Sequence, residues 1–142
     1  MYRNDQRLLV SGMVLFLLGL LSGLAVTAMP NARMGLSAHL EGVMNGMFLI
    51  AAGLCWNRIK LNRLQEKTAF WLLLYGSFAN FVLIQSASIL GTSKMTPIAG
   101  KGYGGSDVSE TLMSLGLVSV ALAMIAAVGL MAAGLLKYEK RS

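Results

Sequence analysis

The chain has 142 residues, of which 56% are hydrophobic and 13% charged, with a mean hydropathy of +0.65. That is too apolar for an ordinary water-soluble domain of this size, and it makes a lipid bilayer the natural solvent. The formal charge of +6 invites a nucleic-acid reading, but the basic residues gather at segment ends, so no nucleic-acid partner is expected.

A spanning helix needs about 20 mostly apolar residues, because each adds about 1.5 Å across a hydrocarbon core of about 30 Å. The first segment that qualifies runs from Leu8 to Met29, holds no charge and stops at Pro30, which does not continue a helix easily. It is longer than a signal-peptide core and lacks a clear processing signature, so it is expected to remain as a helix. Its Gly19 and Gly23 form a small-xxx-small pair that allows another helix to approach closely.

The second segment, 34–56, carries His39, Glu41 and Asn45 in its first half. At about 100° per residue, Gly35, Gly42, Gly46 and Gly53 fall within about 60° of His39, so the histidine sits on a glycine stripe. Such a smooth strip accepts either a second helix backbone or a flat aromatic ligand, and an imidazole on it can supply one axial ligand to a haem iron. Glu41 and Asn45 share a different face, roughly 120° to 160° away, and can hydrogen-bond the same group. An ionisable side chain at membrane depth is costly unless it has a partner, a cavity or water, which singles out His39 and Glu41. Each also has a purely structural reading as an interhelical or interfacial contact.

Cys55, the single cysteine, excludes an intramolecular disulfide. It lies about 24 Å from His39 along an ideal helix, too far to share a metal ion with it. The third segment, 68–90, places Trp71, Tyr75, Phe78 and Gln85 within about 80° of one another, whereas Asn80 points to the other side with Gly76. An aromatic pocket with a few polar groups is expected there. The connection from Gly91 to Ser109, rich in glycine, is long for a compact domain. It reads equally as a lid or as a mobile surface connector. The fourth segment, 110–136, offers Ser119, Ala123 and Ala127 at close-packing spacing.

The expected fold is therefore all-α: a polytopic four-helix transmembrane bundle, integral to the membrane, in a single membrane domain covering 1–142. Arg3, Arg7, Arg58, Lys60, Arg63, Lys67, Lys137, Lys140 and Arg141 fall on one side of a four-span topology, and only Arg33, Lys94 and Lys101 on the other. The positive-inside rule then places both termini in the cytoplasm, an N-in/C-in arrangement.

The string NARMGLSAHLEGVMNGMFLIAAGLCW, from Asn31 to Trp56, together with LLLYGSFAN from Leu72 to Asn80 and MTPIAG from Met95 to Gly100, closely resembles hydroxylaminobenzene mutase. The resemblance covers nearly the whole chain and rests on polar residues and glycines that apolar packing does not demand. It implies an isomerase that rearranges a small aromatic hydroxylamine substrate into an ortho-aminophenol, in a bacterial inner membrane. A more distant resemblance, at His39, Asn45, Gly46, Ala79 and Asn80, is to styrene oxide isomerase, a four-helix membrane enzyme that binds haem b between the subunits of a trimer.

That second resemblance implies His39 as the axial iron ligand, with Asn45 facing substrate and a homo-oligomer as the working form, and it agrees with the stripe of Gly35, Gly42 and Gly46 that helical phase places around His39. Asn80, Glu41 and Tyr75 complete the candidate catalytic set, the last two as proton carriers. The chain departs from the epoxide isomerase in helix three, where Gly76 replaces an acidic residue and Ile84 a tyrosine. Aryl epoxide isomerisation is accordingly the second reading. A small multidrug transporter, which needs an intramembrane acid for proton coupling, and a purely structural assembly protein are the readings from other classes. No Walker loop, dinucleotide fingerprint, nucleophile elbow or clustered zinc ligands appear.

Overall fold

A computed structural model describes residues 4–139, so Arg3, Lys140 and Arg141 lie outside the described residues. The described chain is all-helical, with α1 at Asn4–Leu24, α2 at Ala32–Cys55, α3 at Arg63–Leu90 and α4 at Asp107–Glu139. All four are long and apolar enough to cross a membrane.

Each boundary has a local cause. Helix α1 ends at Leu24, five residues before the expected limit, and a short 3-10 turn at Val26–Ala28 follows it. Proline disfavours helical backbone in the residue before it, and Met29, preceding Pro30, is extended at φ −81 and ψ 143. The chain then re-enters a helix at the Asn31 cap, whose side chain accepts from the Met34 amide. Helix α3 begins at Arg63, five residues earlier than expected, because Asn62 and Gln65 form a reciprocal capping box. The basic connection is thus half helical, with Arg63 and Lys67 already on α3. Gly91 ends that helix in the left-handed region, at φ 71, where a side chain is disfavoured.

Helix α2 lies between α1 and α3, and α4 packs on α3. Among the described residues its backbone comes close to neither α1 nor α2. The α1–α2 seam is built from glycine. A side chain on Gly42 would strike the Gly19 backbone, one on Gly46 the Phe16 backbone, and one on Gly12 the backbone of Gly46 and Ile50. Buried Leu15, Leu49, Leu73 and Phe81 belong to the larger of two apolar clusters, while Met34, Ile84 and Met113 belong to the smaller one beneath the long connection. Only 22% of the most apolar window of α1 and of α4 is buried, which leaves their remaining leucines and valines for lipid or for a neighbouring protein.

Candidate functional site

The structure joins three of the polar residues singled out in the sequence. Glu41 and Asn45 are one turn apart on α2, and the Asn45 amide nitrogen donates to Glu41 Oε2 at 3.0 Å. Asn80, from α3, donates to the same oxygen at 2.6 Å. The rotation that separates Asn80 from the aromatic face of α3 is what turns it toward α2. A carboxylate can only accept, so both amides are held with Nδ2 toward Glu41 and with their Oδ1 atoms directed elsewhere. Glu41 lies about 14 Å into α2 by helical rise, at a depth where an unpartnered carboxylate is costly. Two charge-assisted hydrogen bonds offset that cost.

His39 is placed apart from this cluster. Its Nδ1–H donates to the Gly19 carbonyl of α1 at 2.8 Å. Gly23 lies against the same ring, and a Cβ there would sit 2.6 Å from Nδ1. The carbonyl can only accept, so Nδ1 carries a proton, and in the uncharged tautomer that satisfies this bond the lone pair is on Nε2. Metal-binding histidines commonly donate their other nitrogen to a backbone carbonyl in this way. The glycine stripe, by contrast, is occupied. Gly42 and Gly46 are covered by α1, and Gly35 is backed by the Met29 thioether. Of the two partners that a smooth strip accepts, Gly42 and Gly46 have the helix backbone within this chain.

Tyr75 is also separate. Its hydroxyl lies 2.6 Å from Ser119 Oγ, linking α3 to α4. The expected aromatic pocket on α3 does not form as a unit, because Trp71 and Gln85 turn to α1 whereas Tyr75 turns to α4. Trp71 lines a groove with α1, Phe78 packs on the apolar core, and Gln85 accepts from Ser22 Oγ at 2.8 Å. Cys55 is exposed. Among the described residues no group of three histidine, cysteine, aspartate or glutamate side chains gathers as a metal site.

The long connection is tied down rather than loose. Glu110 accepts from the backbone amides of Ser93 at 2.8 Å, Lys94 at 3.0 Å and Gly105 at 3.2 Å. Asn31 receives the far side, donating from Nδ2 to the Ala99 carbonyl at 3.0 Å and from its own amide to Ser88 at 3.1 Å. Tyr103 donates to the Pro30 carbonyl at 2.7 Å, and Arg33 donates to that of Lys101. Sequence reasoning missed these anchors. The one available signal was a glutamate in the first turn of α4 immediately after a glycine-rich stretch, whose free amides a carboxylate can gather.

Residues 4–136 match the family described as styrene oxide isomerase. Hydroxylaminobenzene mutase HabB of Ectopseudomonas oleovorans is 45% identical over 121 residues, which is 84% of this chain and 74% of that protein. Hydroxylaminobenzene mutase HabA of the same organism is 40% identical over 131 residues, 92% of this chain and 97% of its own length. No solved structure matches. With four spanning helices and matches of this extent, the chain belongs to the styrene oxide isomerase family of membrane isomerases.

Proposed function

We propose that this chain rearranges hydroxylaminobenzene-type N-hydroxyarylamines to ortho-aminophenols within the membrane. The observation that carries the reading is the carboxylate of Glu41 bridged to amides from two helices, in a chain whose relatives are named hydroxylaminobenzene mutases. The reaction is an isomerisation. The N–O bond breaks, a C–O bond forms at the ortho carbon, and the proton lost from that carbon ends on nitrogen, so no net oxidant or reductant is required.

The residues divide these tasks by their chemistry. The Oδ1 atoms of Asn45 and Asn80, turned away from Glu41, accept from the N–H and O–H of the substrate and orient it. Glu41 takes the ortho proton and returns it to nitrogen. The apolar surroundings concentrate the aromatic substrate and keep bulk water from capturing the oxygen in transit.

Haem b is the proposed cofactor, and the donor chemistry of His39 fits it through the Nε2 lone pair. Bound there, the iron would supply Lewis acidity toward the substrate oxygen. His39 and Glu41 occupy different faces of α2, so one substrate meets both where two protomers adjoin. A homotrimer with His39 of one protomer facing the Glu41 cluster of the next supplies such a junction. The second reading, aryl epoxide isomerisation, is disfavoured by Gly76 and Ile84, which stand where the resemblance to the epoxide isomerase implies an acidic residue and a tyrosine.

The decisive experiment gives the purified chain hydroxylaminobenzene anaerobically, without NADH or ATP, in water labelled with heavy oxygen. The expected product is 2-aminophenol with little label. Full solvent incorporation would reject the intramolecular route, and absence of product would reject the reading.

A further inference from the structure

A groove of about 570 Å³ lies between α1 and α3, at the end of the molecule that holds the start of α1. Its chemistry changes along its length. Gln6 and Arg7, from the first turn of α1, and then Ser11 give it a polar end, whereas Phe70, Trp71 and Leu74 of α3 give it an apolar wall running deeper into the spanning region. Lys67 stands one turn before Phe70 and Trp71 on the same side of α3. Arg7 and Lys67 are both exposed, and among the described residues neither has a hydrogen bond or ion pair. The two nearby carboxylates are engaged elsewhere, Asp5 by Asn57 at 2.9 Å and Glu66 by Asn4 at 3.1 Å and Trp56 at 3.2 Å.

Two unneutralised cations above an apolar trough match one kind of molecule, with an anionic head and a hydrocarbon tail. We infer that the groove holds one anionic phospholipid. Its phosphate lies between Arg7 and Lys67, with Gln6 and Ser11 as hydrogen-bond donors, and one acyl chain follows Phe70, Trp71 and Leu74. A guanidinium recognises phosphate through paired N–H donors, basic residues at a membrane surface favour anionic lipid, and an indole at the membrane interface tolerates both environments. A neutral aromatic substrate has no use for the two cations. A second copy of the chain would have to bring a carboxylate, and Asp5 and Glu66 are each already held by side chains of their own chain.

The test uses the Trp56→Phe chain, in which Trp71 is the single indole, in vesicles of phosphatidylcholine containing brominated phosphatidylglycerol or brominated phosphatidylcholine. Bromine quenches the indole on contact, and the anionic lipid should bind beside Trp71 at least about fivefold more tightly, the effect expected of one basic residue at the surface. Arg7→Gln combined with Lys67→Gln should abolish the preference, whereas Arg58→Gln, exposed but away from the groove, should leave it. Native mass spectrometry of the unaltered chain provides an independent reading, as one retained phosphatidylglycerol that the double variant loses. Equal quenching by the two lipids overturns the inference, and so does quenching by neither, which would mean that protein covers the groove. A preference erased by inorganic phosphate would mark a simple anion site and overturn the lipid assignment.

Discussion

Glu41 is the residue on which the proposed chemistry turns, because one of its oxygens orders two side chains from different helices. Glu41→Leu strands two amide donors and should destabilise the chain by about 1–3 kcal/mol. Glu41→Gln keeps an acceptor of nearly the same shape but removes the base, so it should fold normally. Its kcat for hydroxylaminobenzene rearrangement should fall by about 10²-fold or more, with KM little changed. A normal kcat in folded Glu41→Gln would remove this residue from proton transfer. His39 is tested separately: His39→Ala, assembled as the unaltered protein is, should lose the Soret band of the purified chain together with activity. Added imidazole should restore part of both. A normal spectrum with full turnover would overturn its proposed role as iron ligand.

At the scale of elements, the α1–α2 seam and the pinned connection are the parts most exposed to single changes. Gly42→Leu places a branched side chain where the Gly19 backbone already lies. It should separate the two helices at a cost of about 1–3 kcal/mol or more, read as a lower thermal midpoint in detergent. Gly129, which faces open space on α4, should accept alanine without loss and gain slightly in helix propensity. Glu110 holds three amides of the 91–106 connection, and Glu110→Leu should free that stretch while the helices persist. Limited proteolysis at Lys94 and Lys101 should then accelerate severalfold. Unchanged cleavage rates would show that the Asn31 and Tyr103 contacts suffice without it.

For the whole molecule, the proposal is an inner-membrane protein with both termini and the 56–62 connection in the cytoplasm, argued from the asymmetry of its basic residues. In sealed vesicles of known sidedness, Lys101 should be cleaved only from the outer face and a tag at either terminus only from the cytoplasmic face. The reverse pattern would overturn the orientation. The separation of His39 from Glu41 adds an assembly prediction. Mixed assemblies of a His39→Ala chain and a Glu41→Gln chain should recover part of the activity that each lacks alone, through junctions that combine two intact residues. Absence of recovery in assemblies verified as mixed would place the complete site within one protomer.

Composition and segment length alone determined that four apolar helices would form, since about 20 apolar residues in sequence have few other ways to satisfy their backbone in lipid. They also marked His39, Glu41, Asn45 and Asn80 as polar groups needing partners. Helical phase separated His39 from Glu41 correctly, because the angular step of a helix is local. Phase does not say which helix faces which side. Only the tertiary packing decided that the glycine stripe meets α1, that Asn80 reaches Glu41 and that Tyr75 turns to Ser119. Each depends on how neighbouring helices approach, a distance that small residues permit but do not choose. The long connection shows the same limit: its glycines signalled freedom, and the Glu110 and Asn31 side chains, distant from much of it in sequence, removed that freedom by gathering its amides and carbonyls.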